Sequence, residues 1–221
     1  MLKFIKKFLF VHKLTFNGYS LLRIAQINEV KRLEINGSIL DLGSKKSITN
    51  VTNYLNTKNK IIYGDNYSDD PKDLKIDLEK IGQLNGIRFD NILLLNVLEH
   101  IFNYKNCLRN CYSILNENGK FFGSTPFIFR IHGSPKDYFR YTGDALKCLL
   151  EECGFKEIEI KILGGGIFIC FYSSIFLITN KVPFLNNILL FFCQILDFVI
   201  SLFSKNIKHI FPLGYFFQGN K

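Results

Sequence analysis

Residues 89–101, FDNILLLNVLEHI, constrain this chain more than any other stretch. The run is apolar without alternation, entered through Phe89-Asp90 and left through Asn96, Glu99 and His100. A strand with one wet face would alternate, so the pattern reads as a fully buried strand of a parallel sheet. The plain alternative is a core strand followed by an ordinary helix start. Polar residues just beyond the carboxyl end of a buried parallel strand stand where open α/β sheets bind ligands.

The surrounding segments repeat the pattern. SILDL (38–42) is a short strand followed by Gly43-Ser44, and a helix is expected over 48–57. KIIYG (60–64) is a second strand with Asp65 just past its end. DLKID (73–77) suggests a third, ending at Asp77. After the strand at 89–95, residues 104–115 form a helix, and Asn118-Gly119 leads into a strand at 120–127. Strands alternating with helical segments predict right-handed βαβ units and an α/β, Rossmann-like, doubly wound, mostly parallel sheet. Asp41, Asp65, Asp77 and Asn96 then line one composite ligand cleft. Asp65 follows Asp41 at about the spacing at which an acid meets ribose hydroxyls in Rossmann-like units.

The formal charge of +9 lies at the ends. Residues 1–38 carry seven Lys/Arg against two Asp/Glu, residues 39–160 sixteen against sixteen, and residues 161–221 five against one. A nucleic-acid enzyme more often concentrates basic residues beside its active site. Ends that are both basic and apolar suit an anionic membrane surface; a lysine-rich coding bias would produce the same count. Residues 1–15 fit a short amphipathic helix and make a poor secretory signal, because Lys6, Lys7, His12 and Lys13 interrupt any apolar core. The expected location is cytoplasmic, with peripheral membrane attachment. A second helix spans 20–34, with Ser20 as N-cap. The six cysteines form no Cys-x-x-Cys pair and read as reduced core residues; Cys107 and Cys111, one turn apart, mark a buried helix face.

ILDLGS (39–44), YGD (63–65), KID (75–77), FDNILLLNVLEHI (89–101) and LRNCYSILNENGKFFGSTPF (108–127) resemble the class I S-adenosylmethionine-dependent methyltransferases. PFIFRIHGSPKDYFRYTGDALKCLLEECGF (126–155) is similar to a branch of the type 11-like members associated with bacterial surface-glycan genes. FPLGYFFQGNK (211–221) looks like that family's closing strand. The resemblance implies a seven-stranded sheet and S-adenosyl-L-methionine as cofactor. It implies that Asp41, Gly43 and Ser44 hold the methionine part, Asp65 the ribose hydroxyls and Asp77 the adenine amino group, with Asn96 flanking the cofactor. One departure stands out: Lys45 occupies the family's second glycine position, where a Cβ restricts positive φ and close backbone approach.

Methyl transfer from a sulfonium is an in-line displacement, so much of the catalysis is positioning, with a general base for a hydroxyl or amine nucleophile. His132, Asp137, Tyr138 and Arg140, with Tyr141 beside them, are the candidate catalytic residues in the loop after the strand at 120–127. Alternatively, Asp137, Tyr138 and Arg140 only brace that loop, or Arg140 meets a substrate phosphate or carboxylate. Glu99-His100 reads as architectural in the family. Some quinone-ring O-methyltransferases carry Glu-x-x-Glu-His here and bind a metal; Asn96 replaces the first Glu, so no metal is expected.

Residues 164–208 are an apolar helical hairpin inserted before the last strand, with a polar stripe of Asn187, Gln194, Asp197, Ser201 and Ser204 on its second helix. Its first run is short for a membrane crossing and its second carries Asp197 near the middle. The expected organisation is therefore N-terminal amphipathic helices over 1–35, an α/β domain over 36–163 with 209–221, and the hairpin. The expected activity is methyl transfer to a small-molecule or lipid-linked acceptor, such as a glycan intermediate. A membrane-surface scaffold with a decayed cofactor loop is the first alternative. A nucleic-acid methyltransferase is disfavoured, because Val97-Leu98-Glu99 follows Asn96 in place of the Pro-Pro-Tyr/Phe of exocyclic-amine enzymes.

Overall fold

The computed structural model describes residues 2–44, 50–80, 82, 86–133 and 135–221. Its chain divides into two compact units. One comprises Glu29–Phe127, Ile131–Lys161 and Tyr215–Lys221, the other Met1–Asn28, Ile128–Arg130 and Ile162–Gly214.

The first unit is built on the sheet. Strands β1 (Ile39–Leu42), β2 (Ile61–Gly64), β3 (Phe89–Leu95) and β4 (Leu115–Pro126) are joined by β5 (Lys156–Leu163) and β6 (Gly214–Asn220) in the order β2-β1-β3-β4-β6-β5. β1 pairs in parallel with β2 and β3, and β3 with β4. β6 runs against its neighbours: Gln218 bonds Glu159 while Asn220 bonds Glu157. Helices α3 (Tyr104–Ser113) and α4 (Gly143–Glu152) connect the later strands. As the unbroken apolar run requires, Ile92, Leu93 and Leu94 are withdrawn from water completely. Cys107 and Cys111 are buried on one face of α3.

The sheet has six strands among the described residues, not seven, and the segment expected as a strand at 73–77 makes only one parallel bridge, Leu74 to Gly64. Local bonds shape the turn just before this segment. Ser68 Oγ donates to Asp73 at 2.5 Å, the Lys72 N–H donates to the Asp70 carboxylate at 2.9 Å, and Pro71 has no N–H to offer. Side chains that satisfy the backbone locally compete with a ladder. The helix expected over 48–57 is a single 3-10 turn, Val51–Tyr54, capped by Asn50; residues 45–49 lie outside the described set, and with them the Lys45 position.

Asp90 ties the amino ends of the strands together. Its carboxylate accepts from the Ser38 N–H (2.7 Å), the Ser38 hydroxyl (2.9 Å) and the Asn116 amide (2.7 Å). These bonds pin β1 and the start of β4 to β3, and with them the register that sets the opposite edge.

In the second unit, α1 (Leu2–Phe16) and the hairpin of α5 (Ile167–Thr179) and α6 (Pro183–Phe203) pack together, followed by the short α7 (Ile207–Ile210). Its core is Tyr172, Phe176, Leu190 and Cys193. The helix expected over 20–34 is α2 (Leu21–Val30), whose first turn is met by the Ser20 hydroxyl at 3.4 Å from the Arg23 nitrogen.

Hydrogen bonds from Asn116 and Ser38 hold the Asp90 carboxyl below its ordinary range. The folded state therefore binds that proton less readily than the unfolded chain. The stabilisation is complete above the ordinary carboxylate range and is lost as pH falls through the depressed value. Asp90→Ala should cost about 1–3 kcal/mol at neutral pH and blunt the acid limb of a urea-melt series from pH 7 downward. An unchanged acid limb would contradict the role assigned to Asp90.

Candidate active site

Register places the site. Leu42 of β1 is level with Gly64 of β2 and Leu94 of β3, and Leu94 is level with Gly123 of β4. The residues just past this row, Gly43, Asp65, Asn96 and Thr125, therefore share the carboxyl edge of the sheet. The chain turns toward β2 on one side of β1 and toward β4 on one side of β3. The gap between β1 and β3 is thus the point where strand order reverses, the usual ligand crevice of such sheets.

Gly43 leaves β1 at φ +71, and a Cβ there would stand 2.5 Å from Val97 Cγ2, just after β3. Only glycine fits both the left-handed backbone and that approach. Asp41, one turn of pleat back, is wholly buried. One oxygen, Oδ2, accepts from Thr52 Oγ1 at 3.0 Å and the Asn50 amide at 3.4 Å. The other, Oδ1, has no hydrogen-bond partner among the described residues. Burial raises the carboxyl to about 6, with the polar side chains of Ser44, Thr52 and Asn50 offsetting part of the effect. Ser44 Oγ itself accepts from Asn50 at 3.3 Å.

Asp65 folds back on its own turn, accepting from the Tyr67 N–H at 2.7 Å. Asp77 accepts from the Glu79 N–H at 3.1 Å and pairs with Lys80 at 3.3 Å. Asn96 takes φ 55, a left-handed turn that Asn tolerates better than most residues. Its N–H donates to the Ser124 carbonyl at 2.9 Å, and Ser124 Oγ donates to its side chain at 3.3 Å.

Thr125, the next residue of β4, opens a second cluster. Its hydroxyl donates to Glu99 Oε2 at 3.4 Å, and Glu99 is wholly buried. Glu99 Oε1 accepts no hydrogen bond among the described residues. Two imidazoles converge on that oxygen: His132 Nε2 at 3.5 Å and His100 Nε2 at 3.7 Å, with their rings 4.9 Å apart. His100 Nδ1 lies 2.6 Å from the Lys136 carbonyl, which can only accept, so Nδ1 carries the proton. His132 Nδ1 lies 3.3 Å from Asp137 Oδ2.

Asp137 is held in turn. Arg140 grips it with two parallel bonds, 2.5 and 2.7 Å, and the His132 N–H donates to it at 2.8 Å. Arg140 above all keeps the Asp137 carboxyl ionised, down at about 2. The guanidinium thus braces the carboxylate that faces His132. Tyr138 donates its N–H to the Glu99 carbonyl at 2.8 Å, but its ring lies against Phe102 and is partly exposed, so it braces the loop from outside. The rings of Tyr104, Phe139 and Tyr141, packed edge-to-face and tilted against one another, brace the same loop.

Of the expected catalytic residues, the structure brings His132, Asp137 and Arg140 into one chain of contacts and leaves the Tyr138 ring outside it. It adds Glu99, His100 and Thr125. Glu99 was legible as a polar residue past a buried strand; its pairing with His132, 33 positions away, carried no sequence signal.

The architecture has close parallels among solved structures. A SAM-dependent methyltransferase from Archaeoglobus fulgidus aligns over 88 % of this chain and 89 % of its own, with a TM-score of 0.55 and 17 % identity. The fold is that of the class I S-adenosylmethionine-dependent methyltransferases. The 1,6-didemethyltoxoflavin-N1-methyltransferase of Burkholderia thailandensis, solved with 1,6-didemethyltoxoflavin and S-adenosylhomocysteine, covers 91 % of this chain and 78 % of its own at TM-score 0.54 and 14 % identity. The [4+2]-cyclase SpnF is as similar, with TM-score 0.54, 11 % identity, and 90 % and 80 % of the two chains covered. A methyltransferase fold is therefore no guarantee of methyl transfer, and function must be argued from the site. No protein-family profile matches the sequence, and no curated protein does.

The ionised Asp41 side chain strains this methyltransferase fold. Its folded pKa lies above the unfolded value, so the penalty is absent below about pH 4, grows through about 6 and is complete above. At about 1.4 kcal/mol per pKa unit it reaches on the order of 3 kcal/mol. Asp41→Asn should therefore raise the thermal midpoint at pH 7 and flatten its decline between pH 4 and 7. A midpoint that drops at pH 7 would refute this reading.

Proposed function

We propose that the protein is an S-adenosylmethionine-dependent methyltransferase acting on the hydroxyl or amine of a small-molecule or lipid-linked acceptor. The observation that carries this reading is the pairing of two sites on consecutive residues of β4: Ser124 bonds Asn96 on the cofactor side, and Thr125 bonds Glu99 on the acceptor side.

The residues present fit the cofactor. Asp41 offers a buried oxygen with no partner among the described residues, matched to a cationic or N–H-bearing group. Gly43 lets the backbone approach closely, and Asp65 can accept two hydrogen bonds from a diol. Asp41, Gly43 and Ser44 would hold the amino-acid end, Asp65 the ribose, Asp77 the adenine amino group, and Asn96 the side of the crevice. When bound, the cofactor supplies an electrophilic methyl group on a sulfonium.

The acceptor-side residues then handle one proton. An acceptor hydroxyl or amine that took up the methyl group would have to give up its proton. The proton leaving the acceptor passes to His132. The carboxylates of Glu99 and Asp137 flank that ring and stabilise the imidazolium that results. Arg140 keeps Asp137 charged and in place. This assignment gives His132 the base role, with Asp137 and Arg140 as positioning residues.

The orphaned Glu99 oxygen favours a second reading, a divalent cation held by Glu99, His100 and His132. Their ligand atoms lie within 4.8 Å of one another. The Lys136 carbonyl and Asp137 would orient the two imidazoles from behind, as supporting acceptors do in metal sites.

Calorimetric titration with S-adenosylmethionine tests the proposal. Binding is expected, with Asp65→Ala weakening it by about 2–3 kcal/mol, the scale of hydrogen bonds to a charged group. A folded protein that binds no cofactor, or an unaffected Asp65→Ala variant, refutes it. Titration with zinc and manganese separates the two readings of the Glu99 cluster. The base reading expects no binding. Stoichiometric binding abolished by Glu99→Gln would replace it with the cation reading.

A further inference from the structure

The outer face of the helical unit is apolar. A surface helix in water turns its apolar stripe inward and its polar stripe outward. α6 buries Leu190 and Cys193 but also turns most of its large apolar side chains outward. Eleven of its 21 residues are large, exposed hydrophobics, Phe184, Phe191, Phe192, Phe198, Leu202 and Phe203 among them. Its buried positions are Asn186, Leu190, Cys193 and Asp197, and two of these four are polar.

Several inward polar groups are bonded within the unit, while Thr15 Oγ1, Ser173 Oγ and Asn186 Nδ2 have no partner among the described residues. Tyr172 of α5 donates to Asn186 Oδ1 at 2.9 Å, and Thr179 donates to the same oxygen at 2.7 Å. His12 of α1 places its two ring nitrogens 2.9 Å from Asn187 Oδ1 and 3.1 Å from Gln194 Oε1. Asp197 accepts the N–H groups of Phe168 (3.1 Å) and Ile169 (2.8 Å), capping the first turn of α5. Of the polar stripe that the sequence shows at helical spacing, Asp197 is buried and Asn187 and Gln194 face His12, while Ser201 bonds the Phe198 carbonyl of its own helix. Phe198 at 64 % and Phe203 at 88 % exposure stand on the other side.

A broad apolar exterior of this kind is poorly suited to water and marks a surface for an apolar partner or a lipid phase. Charge distinguishes a lipid surface from a second copy of the chain. The unit carries nine Lys/Arg and one acid, and that acid, Asp197, is buried at the α5 cap. Exposed Lys181 immediately precedes α6, and exposed Lys205 and Lys208 follow it. Lys6, Lys7 and Lys13 of α1 are exposed as well. Two copies would bring these charges together, whereas anionic headgroups would neutralise them. α5, with 13 residues, reaches about 20 Å and falls short of a bilayer core of about 30 Å.

We infer that α1, α5 and α6 form a monotopic membrane anchor that sinks the outer face of α6 into one leaflet of an anionic bilayer, with the lysines at its ends among the headgroups. The inference is independent of the methyl-transfer reading and holds for any activity of the α/β unit.

Flotation of the full chain with vesicles of phosphatidylglycerol and phosphatidylcholine tests it. Most of the protein should rise with the vesicles and stay bound in high salt, since buried apolar side chains are not screened. Vesicles of phosphatidylcholine alone should carry distinctly less. The quadruple variant Phe184→Ser, Phe191→Ser, Phe198→Ser and Phe203→Ser alters only exposed side chains. It should lose flotation while retaining its helical circular dichroism and its affinity for S-adenosylmethionine, if the parent has one. Wild-type protein that remains at the bottom of the gradient, folded and monomeric without detergent, overturns the inference. So does a detergent-free dimer that the quadruple variant converts to monomer, which would assign the face to a second copy.

Discussion

Two carboxylates withdrawn from water organise this protein. Asp41 and Glu99 are both fully buried. Each spends one oxygen on a threonine hydroxyl, Thr52 and Thr125 respectively, and each keeps the other oxygen without a hydrogen bond among the described residues. A buried polar atom without a partner costs folding free energy, so a chain that keeps two of them at one sheet edge has a use for them. The parallel register decides that they share that edge, and the Asp90 bracket at the far end of the strands holds the register.

The two sites differ in how they are supported. Around Asp41 the determinants are backbone features: the positive φ of Gly43, the left-handed turn at Asn96, and turn-forming acids at Asp65 and Asp77. Around Glu99 they are side chains that support one another in series. Aromatic rings position the loop, Arg140 positions Asp137, and Asp137 and Glu99 position His132. The first design suits a ligand recognised by shape and hydrogen bonds, the second a proton moved at a fixed point.

The two units differ in the surface they present. In the α/β unit the sheet core is apolar, and buried polar side chains such as Asp41, Glu99, Ser124 and Thr125 gather at the strand ends. In the helical unit Asn186 and Asp197 are buried beside Tyr172, Phe176, Leu190 and Cys193, while phenylalanines and leucines of α6 also stand exposed. An exposed apolar face of that extent marks an interaction surface.

Much of this was determined by sequence alone, where the signal is local. The unbroken apolar run at 92–94, the acids after successive strands, the glycine after Leu42 and the cysteines one turn apart on α3 each report on their own neighbourhood, because strand burial and helix periodicity depend on nearby residues. The segment 73–77 shows the limit of such reading: it has a strand's composition, yet among the described residues only Leu74 bridges to β2. Periodicity found the polar stripe of α6 without revealing which way it faced. Facing is set by what packs against the helix, and His12, Tyr172 and Thr179 come from other helices. The meeting of Glu99 with His132 is of the same kind. Only the return of the chain after β4 brings an imidazole to a buried oxygen 33 residues earlier, and pairwise chemistry at that separation leaves no periodic trace in a single sequence.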